Sequence, residues 1–293
     1  MVDLLVITAI LFVAIFLLAV AVGSNLFAIM TAEQRRYLRL IEMYAAAPAA
    51  IPARDLPEPV YRFVSKASNE GDSRTPACTR IRFQGRIRFG KNGRWLHTGG
   101  RATFAFAVPA YTWQATTTYA PGIWLETFDY CVSSNTGMLL DLFSFVPLNN
   151  ARGPEISRSA LFRYLAGIPF FPQRAGCAGA LVWDHIDETA ARAVVRDGGM
   201  SAAGLVRFDA KGQVESITAD YPADYPVDPA VPNRRIGLLS CRFSGSFEAG
   251  GNRVPREMVL EQVLPDGASA CAELTIVQVE YDLRGTGGKA GTA

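Results

Sequence analysis

Residues 79–89, TRIRFQGRIRF, carry the alternation that decides the fold. Apolar side chains recur at alternate positions, which places Ile81, Phe83, Ile87 and Phe89 on one face of an extended chain. The other face carries the polar residues Arg80, Arg82, Gln84, Arg86 and Arg88. Because successive side chains of a strand point to opposite faces, the pattern predicts a half-buried strand of an antiparallel sheet.

The same period of two recurs through the rest of the chain. Further strands are predicted at 94–108, 111–119, 123–131, 138–145, 180–186, 190–196, 202–209, 213–221, 238–247, 254–264 and 270–281. Asn135, Thr136 and Gly137 predict one of the turns that separate them. So many short strands favour a large sheet that curves strongly or closes into a partial barrel, which reduces exposed edges.

One helix interrupts the strands at residues 156–166. Ile156, Leu161, Tyr164 and Leu165 fall on one side of it, and Gly167 follows its last residue. We therefore expect an α+β, mainly antiparallel β domain over residues 76–284 with one main helix. Residues 285–293, rich in Gly and Thr, are expected to form a disordered tail.

The N-terminal 30 residues have a different composition. No charged residue occurs between Leu4 and Ala32, and an apolar run of this length can cross the hydrocarbon layer as a helix. We expect residues 1–30 to be a single transmembrane helix in the inner (cytoplasmic) membrane. The small-x-small sequence at residues 19–21 leaves a cleaved leader as the alternative. The side of the domain stays undecided, although the arginines after the span favour the cytoplasm: Arg35, Arg36 and Arg39.

Residues 31–75 are expected to connect this span to the domain. A helix is predicted at 31–44, with Leu38, Ile41 and Tyr44 on one face. It is either a plain connector or an interfacial helix whose arginines contact anionic headgroups. Residues 45–59 contain four prolines and predict a stiff, extended linker.

Charge and cysteine content exclude some classes of function. The 293 residues include 29 basic and 27 acidic ones, and this near-neutral balance argues against a nucleic-acid partner. The five cysteines are scattered without a C-x-x-C motif, so they indicate no zinc site, while up to two disulfides stay possible. No nucleotide or phosphate fingerprint is present, and no cofactor is expected.

Two short stretches of the sequence contain several residues of types that bind metal ions. In Asp184-His185-x-Asp187, only His185 and Asp187 share a strand face, which is fewer ligands than a site requires. We expect Asp187 to cap the following turn instead, with Trp183 in the core. Aspartates also recur every four residues in a Pro-rich loop at 220, 224 and 228, where a solvated loop is favoured over calcium binding.

Catalysis has weak support in the sequence. Asp129 with Tyr130 and Glu280 with Tyr281 could act as acids or bases, or be ordinary polar groups on strand faces. The sequence shows no nucleophile–base pair, so enzymatic activity stays undecided and a non-enzymatic role is favoured.

Two features are candidates for ligand binding. Large aromatic side chains are either plain core or the lining of an apolar cavity, and those singled out are Phe104, Phe106, Trp113, Trp124 and Trp183. Four arginines share one face of the first strand and repel unless compensated: Arg80, Arg82, Arg86 and Arg88. They either pair with carboxylates such as Glu257, Glu261 or Glu273, or they form an anion-binding surface.

Several short motifs follow one another along the chain between Phe104 and Tyr281. They are Phe104-x4-Pro109-x3-Trp113-x-Ala115, Arg163-Tyr164-Leu165 with Pro172, Trp183-x2-Ile186-Asp187, Phe208-Asp209-x2-Gly212, Gly251-x-Arg253-x-Pro255 and Glu280-Tyr281. Their order resembles an uncharacterised bacterial family of membrane-anchored proteins, a domain of unknown function, over roughly Asp55 to Asp282. Members often have an acidic residue where this chain has Gly167. A looser similarity is to the half-barrel fold of envelope lipoprotein carriers, and neither likeness implies an activity.

The leading hypothesis is a membrane-anchored β domain that binds a lipid or other hydrophobic small molecule. The alternative is a non-enzymatic interaction or scaffold subunit of a membrane complex. The expected partners are thus membrane lipid, an apolar ligand or complex subunits, and the sequence identifies neither the ligand nor the oligomeric state.

Overall fold

The computed structural model describes residues 13, 32, 34–41, 43, 51–67, 76–179, 181–222, 238–264 and 267–282. The helices in these ranges include α1 (Glu58–Ala67) and α2 (Pro154–Gly167), with short 3-10 turns at Ala53–Asp55, Ile168–Phe170 and Pro172–Gly176. The strands are β1 (Cys78–Ile87), β2 (Leu96–Ala105), β3 (Tyr111–Ala120), β4 (Ile123–Val132), β5 (Asn135–Leu142), β6 (Val146–Ala151), β7 (Leu181–Asp187), β8 (Ala190–Asp197), β9 (Met200–Phe208), β10 (Val214–Pro222), β11 (Leu238–Ser244), β12 (Phe247–Ala249), β13 (Asn252–Val254), β14 (Glu257–Leu264) and β15 (Gly267–Asp282).

Thirteen strands form one sheet in the order β6-β5-β4-β3-β2-β1-β15-β14-β11-β10-β9-β8-β7, while β12 and β13 form a separate hairpin. Each neighbouring pair in the large sheet is antiparallel. Strands β1 to β6 are one meander and β7 to β11 another. The 16-residue β15 pairs with both β1 and β14 and so joins the two halves.

Strand β1 has the alternation that its sequence predicts. Ile81 and Phe83 are buried, whereas Arg82 and Gln84 are exposed. The apolar face therefore points to the core and the arginine face points away from it.

Helix α2 shows how strongly the sheet curves. It packs against β4 and β5 and also against β8, β9 and β10. These two groups lie near opposite ends of the strand order, so a single helix can contact both only if the sheet wraps around it. The predicted curved antiparallel sheet is confirmed. The side of α2 predicted to face the core is also confirmed, because the four residues that define it are buried: Ile156, Leu161, Tyr164 and Leu165.

The polar tips of three side chains tie α2 and the segment after it to the rest of the fold. Tyr164 Oη donates to the carbonyl oxygen of Ala105 (3.0 Å), and Tyr281 Oη donates to that of Phe170 (2.8 Å). Trp183 Nε1 donates to the carbonyl oxygen of Ala175 (2.9 Å). Buried rings with a polar tip need such partners, so these motif residues have a structural role.

The turn between β4 and β5 is not where the sequence predicts it. It lies at Ser133 and Ser134, whose φ values are 53° and 62°. Gly137 is instead a residue of β5 opposite Tyr130, and a Cβ atom added to it would lie 2.7 Å from the Tyr130 hydroxyl. The glycine is thus required for close packing under a ring and not for the turn.

Strand β6 is missing from the sequence prediction. The predicted strand 138–145 is in fact β5, and the chain then reverses and pairs again over Val146–Ala151. Pro147 lies in this strand, which is possible because β6 is at an edge of the sheet and proline lacks only the donor of a ladder bond.

The core extends into residues 31–75, the segment that is expected to connect the span to the domain. Helix α1 lies there, and its Val60 and Phe63 belong to the main hydrophobic core. Residues 34–41 are helical, as predicted, and pack on the outer face of the sheet. Their buried side chains are Tyr37 and Ile41, and Tyr37 stacks on Tyr130 with ring centroids 4.3 Å apart.

Several predictions lie outside the described residues. They are the transmembrane helix at residues 1–30, the position of Tyr44 in the predicted helix, the loop aspartates at 224 and 228, and the tail at 285–293. Of residues 1–30, the structure describes residue 13 alone. No helix within the described ranges has the length and apolar character that a membrane crossing requires.

Candidate functional site

A cavity of about 170 Å³ lies between α2 and the inner face of the sheet. The strands that line it come from both halves of the sheet, and α2 closes it on the other side. Its walls are mainly apolar and include Phe83, Ile87, Trp113, Met138, Leu140, Phe162, Leu239, Met258, Leu260 and Leu274. Partly exposed residues at its border mark the side on which it reaches solvent: Arg88, Phe89, Asn149 and Gln262.

The size of this cavity limits what it can hold. Pockets for drug-sized ligands usually exceed about 300 Å³. A volume of about 170 Å³ suits one apolar chain better than a whole two-chain lipid. The arrangement can therefore exclude water from an alkyl segment, while any bulky headgroup would stay outside.

One polar group interrupts the apolar wall. Asp129 on β4 and Arg163 on α2 form an ion pair through Asp129 Oδ2 and Arg163 Nη1. The same guanidinium nitrogen donates to Tyr111 Oη (3.5 Å). Burial raises the pKa of Asp129, and the positive charge of Arg163 opposes that rise. The pair is thus held in a low-dielectric place, where its two members depend on each other.

Ser159 lies on the same helix, four residues before Arg163. Its Oγ and Asp129 Oδ1 are buried and have no hydrogen-bond partner among the described residues. Both residues line the cavity and also a void of about 10 Å³ beside it. Such a void has room for about one water molecule.

Two thiols complete the wall. All five cysteines are free, so the disulfides that the sequence left possible are not formed. Cys241 and Cys271 line the cavity, and burial raises the pKa of Cys271 to about 11. Such a thiol carries little thiolate at neutral pH and is a poor nucleophile.

The predicted aromatic residues do not form one group. Trp113 lines the cavity and stacks on Phe83, with ring centroids 4.4 Å apart. Phe104 and Phe106 are buried in the main core, and Trp183 packs against that core. Trp124 is half-exposed and meets Phe143 edge-on. Only Trp113 is therefore placed to contact a ligand in the cavity.

The predicted arginine row is also divided. Arg86 pairs with Glu273 (2.6 Å) and Arg80 with Asp282 (3.5 Å), both across the β1–β15 seam. Arg82 donates to Gln278 (3.4 Å) on the same outer face. Arg88 donates to Ser269 (3.1 Å) and borders the cavity.

Of the three carboxylates expected as partners of the row, only Glu273 pairs with it. Glu257 accepts a hydrogen bond from Thr275 (2.9 Å), and Glu261 forms an ion pair with Arg242 (2.7 Å). The cross-strand interpretation is thus right for Arg86, and Asp282 was not foreseen as the partner of Arg80.

The metal and acid–base candidates do not assemble. Asp187 accepts hydrogen bonds from the Thr189 backbone (2.7 Å) and hydroxyl (2.8 Å), which confirms its predicted role as a turn cap. Asp184 pairs with Arg192 (3.3 Å), and Asp220 pairs with the same guanidinium (2.7 Å). Within the described ranges no three residues of metal-ligand type converge.

Asp129 and Tyr130 lie on opposite faces of β4, so they cannot act on one substrate. Asp129 faces the cavity, while Tyr130 packs in the outer cluster with Tyr37. Likewise Tyr281 points to Phe170, whereas Glu280 accepts from Gln278 (2.6 Å) on the exposed side.

A second hollow, of about 300 Å³, lies beside the β9–β10 turn. Its polar lining is used in local structure. Asp209 accepts hydrogen bonds from the backbone of Lys211 and Gln213, both at 2.8 Å, and Arg253 donates to Ser246 (2.8 Å). It is the weaker candidate for this reason.

The sequence interpretation missed the polar core of the site. The sequence predictions include Asp129 only as a possible acid beside Tyr130 and Arg163 only as part of a motif, and they do not include Ser159. A weak signal existed for two of them, since they are charges of opposite sign in segments with a predicted buried face, although Glu126 and Arg158 lie in the same two segments. Ser159 carries no such signal.

Comparison with known proteins gives a family and some remote structural neighbours. The model of DUF6544, a family of unknown function, matches residues 49–274, which is most of the chain. This confirms the resemblance expected from the motifs. No curated protein matches the sequence.

Three solved structures are similar at low identity. A domain assigned to outer membrane lipoprotein sorting from Vibrio parahaemolyticus is 10% identical with a TM-score of 0.42, covering 82% of this chain and 96% of that one. A DUF1329 family protein from Desulfovibrio piger is 12% identical with a TM-score of 0.35, covering 77% and 91%. A LolA superfamily protein from Nitrosomonas europaea is 9% identical with a TM-score of 0.34, covering 77% and 93%. These include the expected lipoprotein-carrier likeness, and scores at this level do not bear on activity.

Proposed function

The chain belongs to the DUF6544 family, a family of unknown function, and we propose that its domain is a membrane-tethered module that binds an apolar chain between α2 and the sheet. The observation that carries the proposal is the cavity of about 170 Å³ with mainly apolar walls. An apolar cavity of this kind leaves its lining side chains without packing partners, which is unfavourable in a folded protein.

An alkyl chain would supply the missing contacts. Each methylene group moved from water into such a place gains about 0.8 kcal/mol. The aromatic and aliphatic side chains of the wall, among them Trp113, Phe162 and Met258, offer dispersion contacts without a specific shape. The site therefore suits a lipid acyl chain or a similar greasy segment.

The tether rests on two features of the N-terminal part. Residues 4–32 are free of charge, and we propose that they include the membrane span. The helix at 34–41 packs on the outer face of the sheet through Tyr37 and Ile41. A domain fixed this close to the end of a span would stay near the bilayer, which supplies apolar chains.

Native mass spectrometry of the full-length chain in mild detergent tests the ligand. We expect adducts of lipid or fatty-chain mass, and we expect their loss when the cavity is filled by Ala115→Leu with Ala272→Leu, both of which line it. Ala268→Leu is the matched control, since Ala268 is exposed on the same strand as Ala272. Adducts that survive filling, or none in any form, would overturn the proposal.

Carbonate extraction of membranes tests the tether. The chain should stay in the membrane pellet, and Phe16→Arg with Leu17→Arg should release it, because charges near the middle of a span oppose insertion. A chain extracted without these changes would show that residues 1–30 do not anchor it.

Cysteine labelling tests the side of the membrane. Four native thiols are buried and the fifth is partly buried, so background labelling is low. Ser201→Cys places a thiol at an exposed position of β9. An impermeant maleimide should label it only after the cells are broken, if the flanking arginines hold the domain in the cytoplasm. Labelling in intact spheroplasts would place it on the other side.

A scaffold role is the second candidate, supported by the edge strands. Leu148 on β6 and Ile186 on β7 are about half-exposed, and edge strands can pair with other chains. A pull-down in mild detergent should then recover partners in fixed stoichiometry, and Leu148→Lys should reduce their recovery. A clean monomer would count against this role.

A further inference from the structure

Two polar atoms in the cavity wall lack a hydrogen-bond partner within the part of the chain that the structure describes. Asp129 and Ser159 are 5% and 4% exposed, and both line the cavity. Asp129 Oδ1 and Ser159 Oγ have no hydrogen-bond partner among the described residues. Buried polar atoms are nearly always bonded in folded proteins, so these two indicate the chemistry of what is missing.

The partner of Asp129 must donate a hydrogen bond. Its Oδ2 is already bonded to Arg163, and the carboxylate oxygen that is left can only accept from a donor while the pair is ionised. Ser159 Oγ can donate or accept. A hydroxyl group has both a donor for Asp129 and an acceptor for Ser159, and an amide N–H has a donor for Asp129. A second carboxylate would be repelled by Asp129.

The other side chains of the cavity wall indicate that the rest of the ligand is apolar. Phe162, Met258 and Leu274 line the cavity beyond the polar spot. The ligand should therefore carry its donor on an alkyl chain. A water molecule in the void of about 10 Å³ beside Asp129 is the competing explanation, because it could satisfy the same atoms.

We propose that the cavity binds an alkyl chain bearing a hydroxyl or amide N–H group, and that Asp129 and Ser159 hold this donor. The inference rests on the proposed function and names the ligand class of the same site. Arg163 has a positioning role, since its ion pair orients the Asp129 carboxylate and its positive charge opposes the rise of the Asp129 pKa that burial causes.

Quenching of Trp113 fluorescence by brominated chains tests the inference on the full-length chain in mild detergent. The three probes are bromododecane, bromododecanol and bromododecanoate, the last two brominated at the end remote from the head group. Each is compared by its mole fraction in the micelle. Trp113 lines the cavity, and the part of the quenching that is lost in Trp113→Phe reports on that site.

We expect bromododecanol to reach half-quenching at a mole fraction about tenfold lower than bromododecane or bromododecanoate, as a hydrogen bond to a charged acceptor predicts. Ser159→Ala, and separately Asp129→Leu with Arg163→Met, should reduce this preference to less than about twofold. Ser157→Ala is the matched control, because Ser157 on the same helix is already bonded to Thr136 (2.7 Å).

The possible failures are distinguishable. Equal quenching by the alcohol and the alkane would overturn the donor inference, leave the proposed function intact and favour a resident water. A preference that survives in Ser159→Ala and in the double variant would also overturn it. If no probe quenches Trp113, the proposed function fails and this inference fails with it.

Discussion

Arg163 on α2 forms an ion pair with Asp129 on β4, and this contact crosses the interior from the helix to the curved sheet. Removing one member leaves a buried charge without its partner. We expect Arg163→Met to lower the free energy of unfolding by about 3–5 kcal/mol, measured by urea unfolding of the full-length chain in detergent.

The double variant Arg163→Met with Asp129→Leu should recover most of that loss, since it removes both charges and keeps the volume. Arg158→Met is the control, because Arg158 is on the same helix and its pair with Glu155 (3.6 Å) is near the surface. That change should cost less than about 1 kcal/mol. Equal losses for Arg158→Met and Arg163→Met would contradict the buried-pair interpretation.

The hydroxyl of Tyr164 should contribute measurably to stability. Its bond to the Ala105 carbonyl oxygen is buried, and removing it leaves that oxygen without this donor. Tyr164→Phe should therefore lower the free energy of unfolding by about 1–2 kcal/mol. Tyr119→Phe changes an exposed residue and should stay within about 0.5 kcal/mol of the parent. A neutral Tyr164→Phe would show that the bond does not fix α2 to the sheet.

Gly167 is a second point of close approach. A Cβ atom there would lie 2.5 Å from Cε1 of the Phe104 ring, so any side chain at this position would force the ring to move. Gly167→Ala should cost about 1–3 kcal/mol through overpacking. Gly99→Ala is the control, since its nearest atom would be the Phe83 carbonyl oxygen at 3.6 Å. The packing argument fails if both changes cost the same.

Asp141 should make stability depend on pH in mildly acidic solution. It lies opposite Glu126 in the β4–β5 register, it is buried, and its Oδ2 has no hydrogen-bond partner among the described residues. Burial raises the pKa of Asp141 to about 6, and the nearby charge of Glu126 adds to the rise.

The Asp141 carboxyl group then binds its proton more tightly in the folded state than in the unfolded state, where its pKa is about 3.9. Stability from this group is complete below pH 4 and declines as the pH rises to about 6, by at most about 1.4 kcal/mol per pH unit. Urea titrations across this range should show the decline in the parent and not in Asp141→Asn. The exposed Glu248→Gln should keep it, and a parallel pH profile for Asp141→Asn would refute the assignment.

Much of the fold was accessible from the sequence because its patterns are local. The alternation in β1 predicts the buried face of a strand, and the apolar side of 156–166 predicts how α2 packs. Strand β6 was not predicted because Pro147 and the polar residues after it resemble a loop in sequence. Its extended conformation depends on pairing with β5. Helix α1 was not predicted because the prolines before it obscure a short amphipathic segment.

The candidate site was less accessible for a physical reason. A cavity is the space that packing leaves over, so it depends on the relative placement of distant side chains. Asp129 and Arg163 are 34 residues apart and meet only because the sheet curves around α2. Aromatic content indicated an apolar interior, yet it could not separate Trp113, which lines the cavity, from Phe104, which fills the core.

The most direct test of the central claim is a crystal structure of the full-length chain purified from its membrane without added lipid. The account predicts continuous, elongated electron density in the cavity beside Trp113 and Met258, with a polar atom within hydrogen-bond distance of Asp129 Oδ1. A cavity that holds only ordered water, or that is closed by repacked side chains, would contradict it.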